Sequence, residues 1–139
     1  MLPTILTLAT AAALTLAVTA CSGAEADDAA GPVSRVIDAD EAVQMLAERD
    51  DLQIIDVRTP AEFGAGHLSD AQLIDVQDRS FAEQLDGLDR DGPYLVYCRT
   101  GNRSAHAISI MRDLGFSELY DAGGLAELAA AGASVAETG

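Results

Sequence analysis

Leu52 to Val57 reads Leu-Gln-Ile-Ile-Asp-Val, a nearly continuous apolar run. A strand of that composition has no face to give to water, so it belongs inside a parallel sheet covered on both sides. Parallel neighbours need long crossover connections, usually helical, and the chain supplies them in alternation. Arg35-Val36-Ile37 predicts a short first strand, and Asp38 or Asp40 can cap a helix running to about Glu48 with Ala42, Val43, Leu46 and Ala47 on its apolar face. After the Leu52 strand, Thr59 suits an N-cap and Pro60 the first helical position. Leu73-Ile74-Asp75-Val76 predicts a strand and Phe81 to Leu88 a short helix. Tyr94 to Tyr97 is β-prone and follows the turn signal Asp91-Gly92-Pro93. A strand at Leu119-Tyr120 and a helix from Leu125 to Ala131, closed by Gly132, complete the series. Strands alternating with helices predict an α/β domain with a mainly parallel central sheet flanked by helices, spanning 35–132, with 133–139 as a tail.

One connection in this series carries chemistry. Between the Tyr94 strand and a helix whose Ala107, Ile108, Met111 and Leu114 recur at helical spacing up to Gly115 lies Cys98-Arg99-Thr100-Gly101-Asn102-Arg103-Ser104. Cys98 therefore sits at the carboxyl end of a strand, where open α/β sheets bind ligands, and faces a helix N-terminus. Free backbone N–H groups there carry partial positive charge and bind anions. Arg99 and Arg103 add two full charges, and Gly101 permits the tight turn that points successive amides inward. A thiol so placed is expected to ionise below its usual value of about 8.5.

At this loop the chain resembles the single-domain rhodanese-like sulfurtransferases. Ile54-Ile55-Asp56-Val57-Arg58-Thr59-Pro60-Ala61-Glu62-Phe63 with Gly66-His67-Leu68, and Tyr120-Asp121-Ala122-Gly123-Gly124-Leu125, resemble further segments of that family in its own order. The likeness covers roughly 33–132 and implies the rhodanese-like fold. It implies a ping-pong cycle without a cofactor: the Cys98 thiolate takes the outer sulfur of a small anionic donor such as thiosulfate, forming a persulfide, and passes it to a thiol or to cyanide. Arg99, Thr100, Gly101, Asn102, Arg103 and Ser104 would form the substrate loop. Asp56 would hold that loop or one of its arginines, and His67 would order local backbone. For Arg58, a salt bridge to Glu62 four residues on is favoured over ligand binding. Thr100 stands where some thiosulfate-using relatives carry a cation, which leaves the physiological donor open. Ser69-Asp70 replaces a usual Pro-Gly turn and Leu128 a common Trp, so the likeness implies lower stability with the chemistry retained.

Two rivals belong to other classes. Cysteine phosphatases and arsenate reductases also ring an anion with Cys and Arg, but the related phosphatases carry one more residue between the two than the four present here. A non-catalytic binding module of the same fold is the other, and its usual signature is loss of the cysteine.

Residues 1–20 contain no charged side chain and read as a targeting segment. Val18-Thr19-Ala20-Cys21 resembles the lipobox of bacterial lipoproteins, which implies lipidation of Cys21 and a domain held at the outer face of the cytoplasmic membrane. An ordinary cleaved signal and a retained anchor helix are the alternatives. Residues 21–34, with Glu25, Asp27, Asp28, Gly31 and Pro32 among alanines, read as a flexible acidic tether with a reach of roughly 20 Å. With 23 acidic against 8 basic residues and no Lys/Arg run, nucleic acid is excluded as a partner. His67 and His106 lack the ligand spacing of a metal site, and His106 reads as a surface or packing residue. Oligomeric state is not legible.

Overall fold

The computed structural model describes residues 31–137. The targeting segment, Cys21 and most of the tether lie outside these residues. The elements in chain order are β1 (Val33–Val36), α1 (Ala39–Glu48), β2 (Gln53–Asp56), α2 (Pro60–Gly64), β3 (His67–Leu68) and β4 (Gln72–Leu73). There follow α3 (Phe81–Leu85), β5 (Pro93–Cys98), α4 (Asn102–Asp113), β6 (Glu118–Gly124), α5 (Leu125–Ala130) and β7 (Val135–Ala136). Five strands form one parallel sheet in the order β1-β6-β5-β2-β4.

Every residue of β5, the central strand, is buried, and its alternation divides the interior in two. Tyr94, Val96 and Cys98 pack with Ile55, Leu119 and Phe116 beneath α3 and α4. Leu95 and Tyr97 face the other way, with Ile37, Ala42, Leu68, Tyr120 and Leu128 beneath α1 and α5. Each fully buried large apolar side chain contributes about 1.5–3 kcal/mol, and both faces share that gain. The period-2 geometry of a strand thereby fixes that Cys98 emerges on the α4 face.

Local chemistry sets the helix ends as expected. Asp38 accepts the Glu41 N–H at 2.8 Å to cap α1, and Thr59 caps α2 in a capping box completed by Glu62. Gly115, at φ +91°, and Gly132, at φ +107°, follow α4 and α5 in the left-handed conformation that glycine adopts without steric cost.

Several boundaries differ from expectation. In α1, Met45 packs with the core whereas Ala47 is exposed, so the buried stripe lies one residue off the predicted face. Strand β4 ends at Leu73, although the Ile74 and Val76 N–H groups still bond to the Asp56 and Val57 carbonyls. The sheet begins at Val33, inside the expected tether. Residues 133–136 are not a free tail: β7 pairs antiparallel with β3, His67 opposite Ala136 and Leu68 opposite Val135. Two-residue strands carry no periodicity from which they could be read. Asp70, at the turn where the resemblance implies Pro-Gly, adopts φ +64°, and Leu128, where it implies Trp, is fully buried.

Candidate active site

Cys98 closes β5 opposite Gly124 of β6, and the ladder between them carries an irregularity just before this pair. The sulfur is fully buried. The chain reverses around it: Gly101, at φ +95°, precedes α4 and turns its own N–H onto Cys98 Sγ at 3.0 Å. Burial pushes the Cys98 thiol up. The backbone N–H groups of Ser104, Thr100 and Gly101, together with the Ser104 hydroxyl, outweigh that and leave it below its ordinary value. The loop's peptide N–H groups are therefore turned inward onto the sulfur.

The two loop arginines play other parts than expected. Arg103 lies across the Glu62 carboxylate in a two-pronged pair, 2.7 Å on each prong, so most of its charge is spent there. Arg99 is exposed and has no ion-pair partner among the described residues. Thr100 and Asn102 are exposed on the rim.

Glu62 being taken, the expected Arg58–Glu62 bridge does not form. Arg58 turns back onto Asp56 through its backbone N–H and its guanidinium, at 2.6–2.9 Å, and donates to the Gly66 carbonyl at 2.6 Å. Both partners are buried, Asp56 at 0% and Arg58 at 5% exposure. Tyr97 Oη donates to Asp56 Oδ2 at 2.6 Å and accepts the Leu68 N–H at 2.9 Å, and its ionisation is pushed up by burial and by that carboxylate. Asp56 thus holds Arg58 and Tyr97, which tie β2 and β5 to β3. It holds neither the Cys98 loop nor its arginines. His67 does order backbone: Nδ1 lies 2.9 Å from the Phe63 carbonyl and the ring stacks on Phe63 at 3.6 Å. His106 is on the surface.

Asp121, not singled out as a site residue in the sequence, stands directly behind the loop. It is 6% exposed, and its Oδ1 accepts the Ser104 hydroxyl at 2.6 Å and the Gly123 N–H at 3.1 Å. The signal available was a lone carboxylate inside the apolar run Leu119-Tyr120-Asp121-Ala122.

Beside the loop opens a cavity of about 420 Å³, lined by Arg58, Arg99, Leu125, Ala126, Ala129 and Val135 among others. Its walls are mostly apolar, with the Arg99 guanidinium as the charge left to meet an anion.

The Glu62–Arg103 pair gives the domain an acid limit. Arg103 chiefly, with the Thr59 N–H and hydroxyl, holds the Glu62 carboxyl down at about 2 against an ordinary 4.5, over the opposing effect of burial. A group whose folded value is depressed stabilises fully above its unfolded value and ceases to do so as pH falls through the folded one. Glu62→Gln is accordingly expected to be less stable than the natural protein at pH 7. The gap should close between about pH 4.5 and pH 2, as read from urea unfolding at both ends. A gap of equal size at pH 2 would assign the effect to packing.

Comparison with known proteins agrees with this fold. The family pattern described as "Rhodanese-like domain" matches residues 38–131. A protein named thiosulfate sulfurtransferase GlpE from Pseudomonas aeruginosa is 37% identical over 90 residues, which is 65% of this chain and 79% of that relative. In solved structures, the rhodanese-like domain of an Anabaena protein superposes with a TM-score of 0.69 at 22% identity, covering 76% of this chain and 80% of that one. A rhodanese with anions from E. coli superposes with a TM-score of 0.52 at 25% identity, covering 62% of this chain and 98% of that one.

Proposed function

The chain belongs to the rhodanese-like domain family, and on that footing we propose that it is a sulfurtransferase carrying sulfane sulfur on Cys98. The observation that carries this reading is the Cys98 sulfur seated among inward-turned amides, with the Gly101 N–H at 3.0 Å. The thiolate attacks the outer sulfur of a thiosulfate-like anion. A new S–S bond forms to Cys98, the donor's own S–S bond breaks, and sulfite leaves with the electron pair. Terminal sulfur then passes to a thiol or to cyanide, and Cys98 returns as thiolate. Amides of Thr100, Gly101 and Ser104 would stabilise the charge on the cysteine sulfur and its persulfide. Arg99, exposed at the cavity, would receive the anionic donor, while Arg103 holds the loop to α2 through Glu62. The thiosulfate sulfurtransferase named among the relatives supports the donor class.

The N-terminal Val18-Thr19-Ala20-Cys21 supports a location outside the cytoplasmic membrane, the domain being lipid-anchored through Cys21 and the acidic stretch to residue 32 serving as spacer.

The test is the intact mass of the full chain after incubation with thiosulfate, beside Cys98→Ser. The expected result is a gain of one sulfur atom on the natural protein alone, removed by cyanide with release of thiocyanate. No adduct from thiosulfate, mercaptopyruvate or glutathione persulfide would overturn the reading.

A further inference from the structure

The cavity beside the loop is larger and less polar than a small inorganic donor calls for. Its volume, about 420 Å³, falls in the span of about 300–1,000 Å³ usual for sites of organic ligands. Thiosulfate is a compact ion without apolar surface and would leave most of these walls unmatched. Leu125 is half-buried there, and Ala126, Ala129 and Val135 are exposed. Val135 and Val36 are the large apolar side chains that stand exposed among the described residues, and the pairing of β7 with β3 brings Val135 to the cavity. Apolar surface left open around a few polar groups is the mark of a binding site.

Two of those polar groups are cations with capacity to spare. Arg58 is 5% exposed and lines the cavity. Its Nε and Nη2 are occupied by Asp56 and the Gly66 carbonyl, whereas its Nη1 donates to nothing among the described residues. Arg99 is exposed on the same wall without an ion-pair partner among them. Glu62 also lines the wall, but Arg103 and Thr59 already take its oxygens. In a protein with 23 acidic against 8 basic residues, a wall with a surplus of positive charge selects for an anion. The cavity also starts one residue from the sulfur: Cys98 stands opposite Gly124, and the next residue of each segment, Arg99 and Leu125, belongs to the wall.

We propose that this cavity is the subsite of the sulfur acceptor, and that the acceptor is an organic thiol whose apolar chain of medium length ends in a carboxylate. The carboxylate accepts from Arg58 Nη1, a charge-assisted bond. The chain lies along Leu125, Ala126, Ala129 and Val135, and the thiol end reaches Cys98 past Arg99, whose charge favours the thiolate form. Donor and acceptor thus meet Arg99 in turn. The inference rests on the sulfurtransferase reading for the reaction. The acceptor's thiolate attacks the outer sulfur of the Cys98 persulfide, and an S–S bond forms between them. The persulfide's own S–S bond breaks, and Cys98 keeps the electron pair as thiolate.

The experiment loads the full chain with sulfur from thiosulfate and follows its discharge by intact mass, with Cys98→Ser as background. The thiols compared are mercaptopropionate, ω-mercapto-octanoate and ω-amino-octanethiol. Half-saturation by ω-mercapto-octanoate is expected at a concentration at least about tenfold below that of mercaptopropionate, with maximal rates alike, since each methylene removed from water adds to binding. The amine has the same chain and the opposite charge, and it should show no such gain. Ala129→Gln, at an exposed helix position, keeps helix propensity while laying a polar side chain across the apolar wall. It should remove the gain and leave discharge by cyanide unchanged. Equal half-saturation for the two acids, an amine as good as the acid, or a gain kept in Ala129→Gln each overturns the proposal. Octanoate, which has no thiol, separates this failure from that of the sulfurtransferase reading. By calorimetry it should bind Cys98→Ser, and bind about tenfold more weakly when Ala129→Gln is added. A persulfide with no preference among thiols removes the subsite alone. Octanoate bound to a protein that forms no persulfide removes the sulfurtransferase reading and leaves the cavity as a carboxylate site, and octanoate unbound removes the subsite.

Discussion

Asp56→Ala is expected to lower the unfolding free energy by about 3–5 kcal/mol, the range for removing one partner of a buried ion pair. The replacement leaves the Arg58 guanidinium enclosed with only the Gly66 carbonyl, and it deprives the Tyr97 hydroxyl of the acceptor 2.6 Å away. Burial already works against the Arg58 charge, and Asp56 is what sustains it. Against a typical total of about 5–15 kcal/mol for a domain, such a loss leaves the fold marginal at room temperature. Asp56→Asn, which keeps an acceptor for Tyr97 and for Arg58 while removing the charge, should fall between the two proteins. Urea unfolding of all three measures the series. A loss under about 1 kcal/mol for the alanine variant would mean that water reaches Arg58 and that the network is not the clamp described.

Gly124→Ala is expected to slow persulfide formation at least about a hundredfold in a protein that still folds. A Cβ on this residue would stand 2.5 Å from the Arg99 carbonyl oxygen and on top of a Glu127 carboxylate oxygen. Glu127 can swing aside, being the far end of a side chain. The Arg99 carbonyl is backbone, one residue from Cys98, and can yield only by moving the loop. A displacement of about 1 Å in a reacting group costs on the order of a hundredfold in rate. The conformation of Gly124, φ −108°, is open to any residue, so the effect is one of space. Single-turnover persulfide formation followed by mass, with a thermal melt as control, separates a shifted loop from an unfolded domain. An unchanged rate would show that the loop tolerates movement at its start.

What was legible in the sequence was local. The β5–loop–α4 connection could be read because a buried strand, a glycine turn and a helical repeat follow one another within some twenty residues. The Thr59 cap of α2 could be read because Thr59 and Pro60 stand side by side at the start of the helix. Pairing between elements was not legible in the same way. Arg58 stands four residues before Glu62, a spacing that binds on a helix, yet Arg58 precedes α2 and its side chain returns along β2 to Asp56. Glu62 was left to Arg103, forty-one positions away, which becomes its neighbour only when α2 and α4 stand side by side. Asp121 escaped for the same reason. Its significance depends on Ser104, seventeen positions earlier on another element. The pair β3 and β7 escaped because each has too few residues to show a pattern.

The edge strand β1 has a consequence for how the molecule is made. Val33 finds its place beside Glu118, so the first strand among the described residues waits for nearly the whole domain before it has a partner. Central pairs such as β2 with β5 close shorter loops and meet a lower entropic barrier. Assembly is thus expected to start at the middle of the sheet and to finish at its N-terminal edge. A chain arrested before Glu118 has no template for β1. During biosynthesis, docking of the N-terminal edge is therefore held back until β6, late in the domain, has been made.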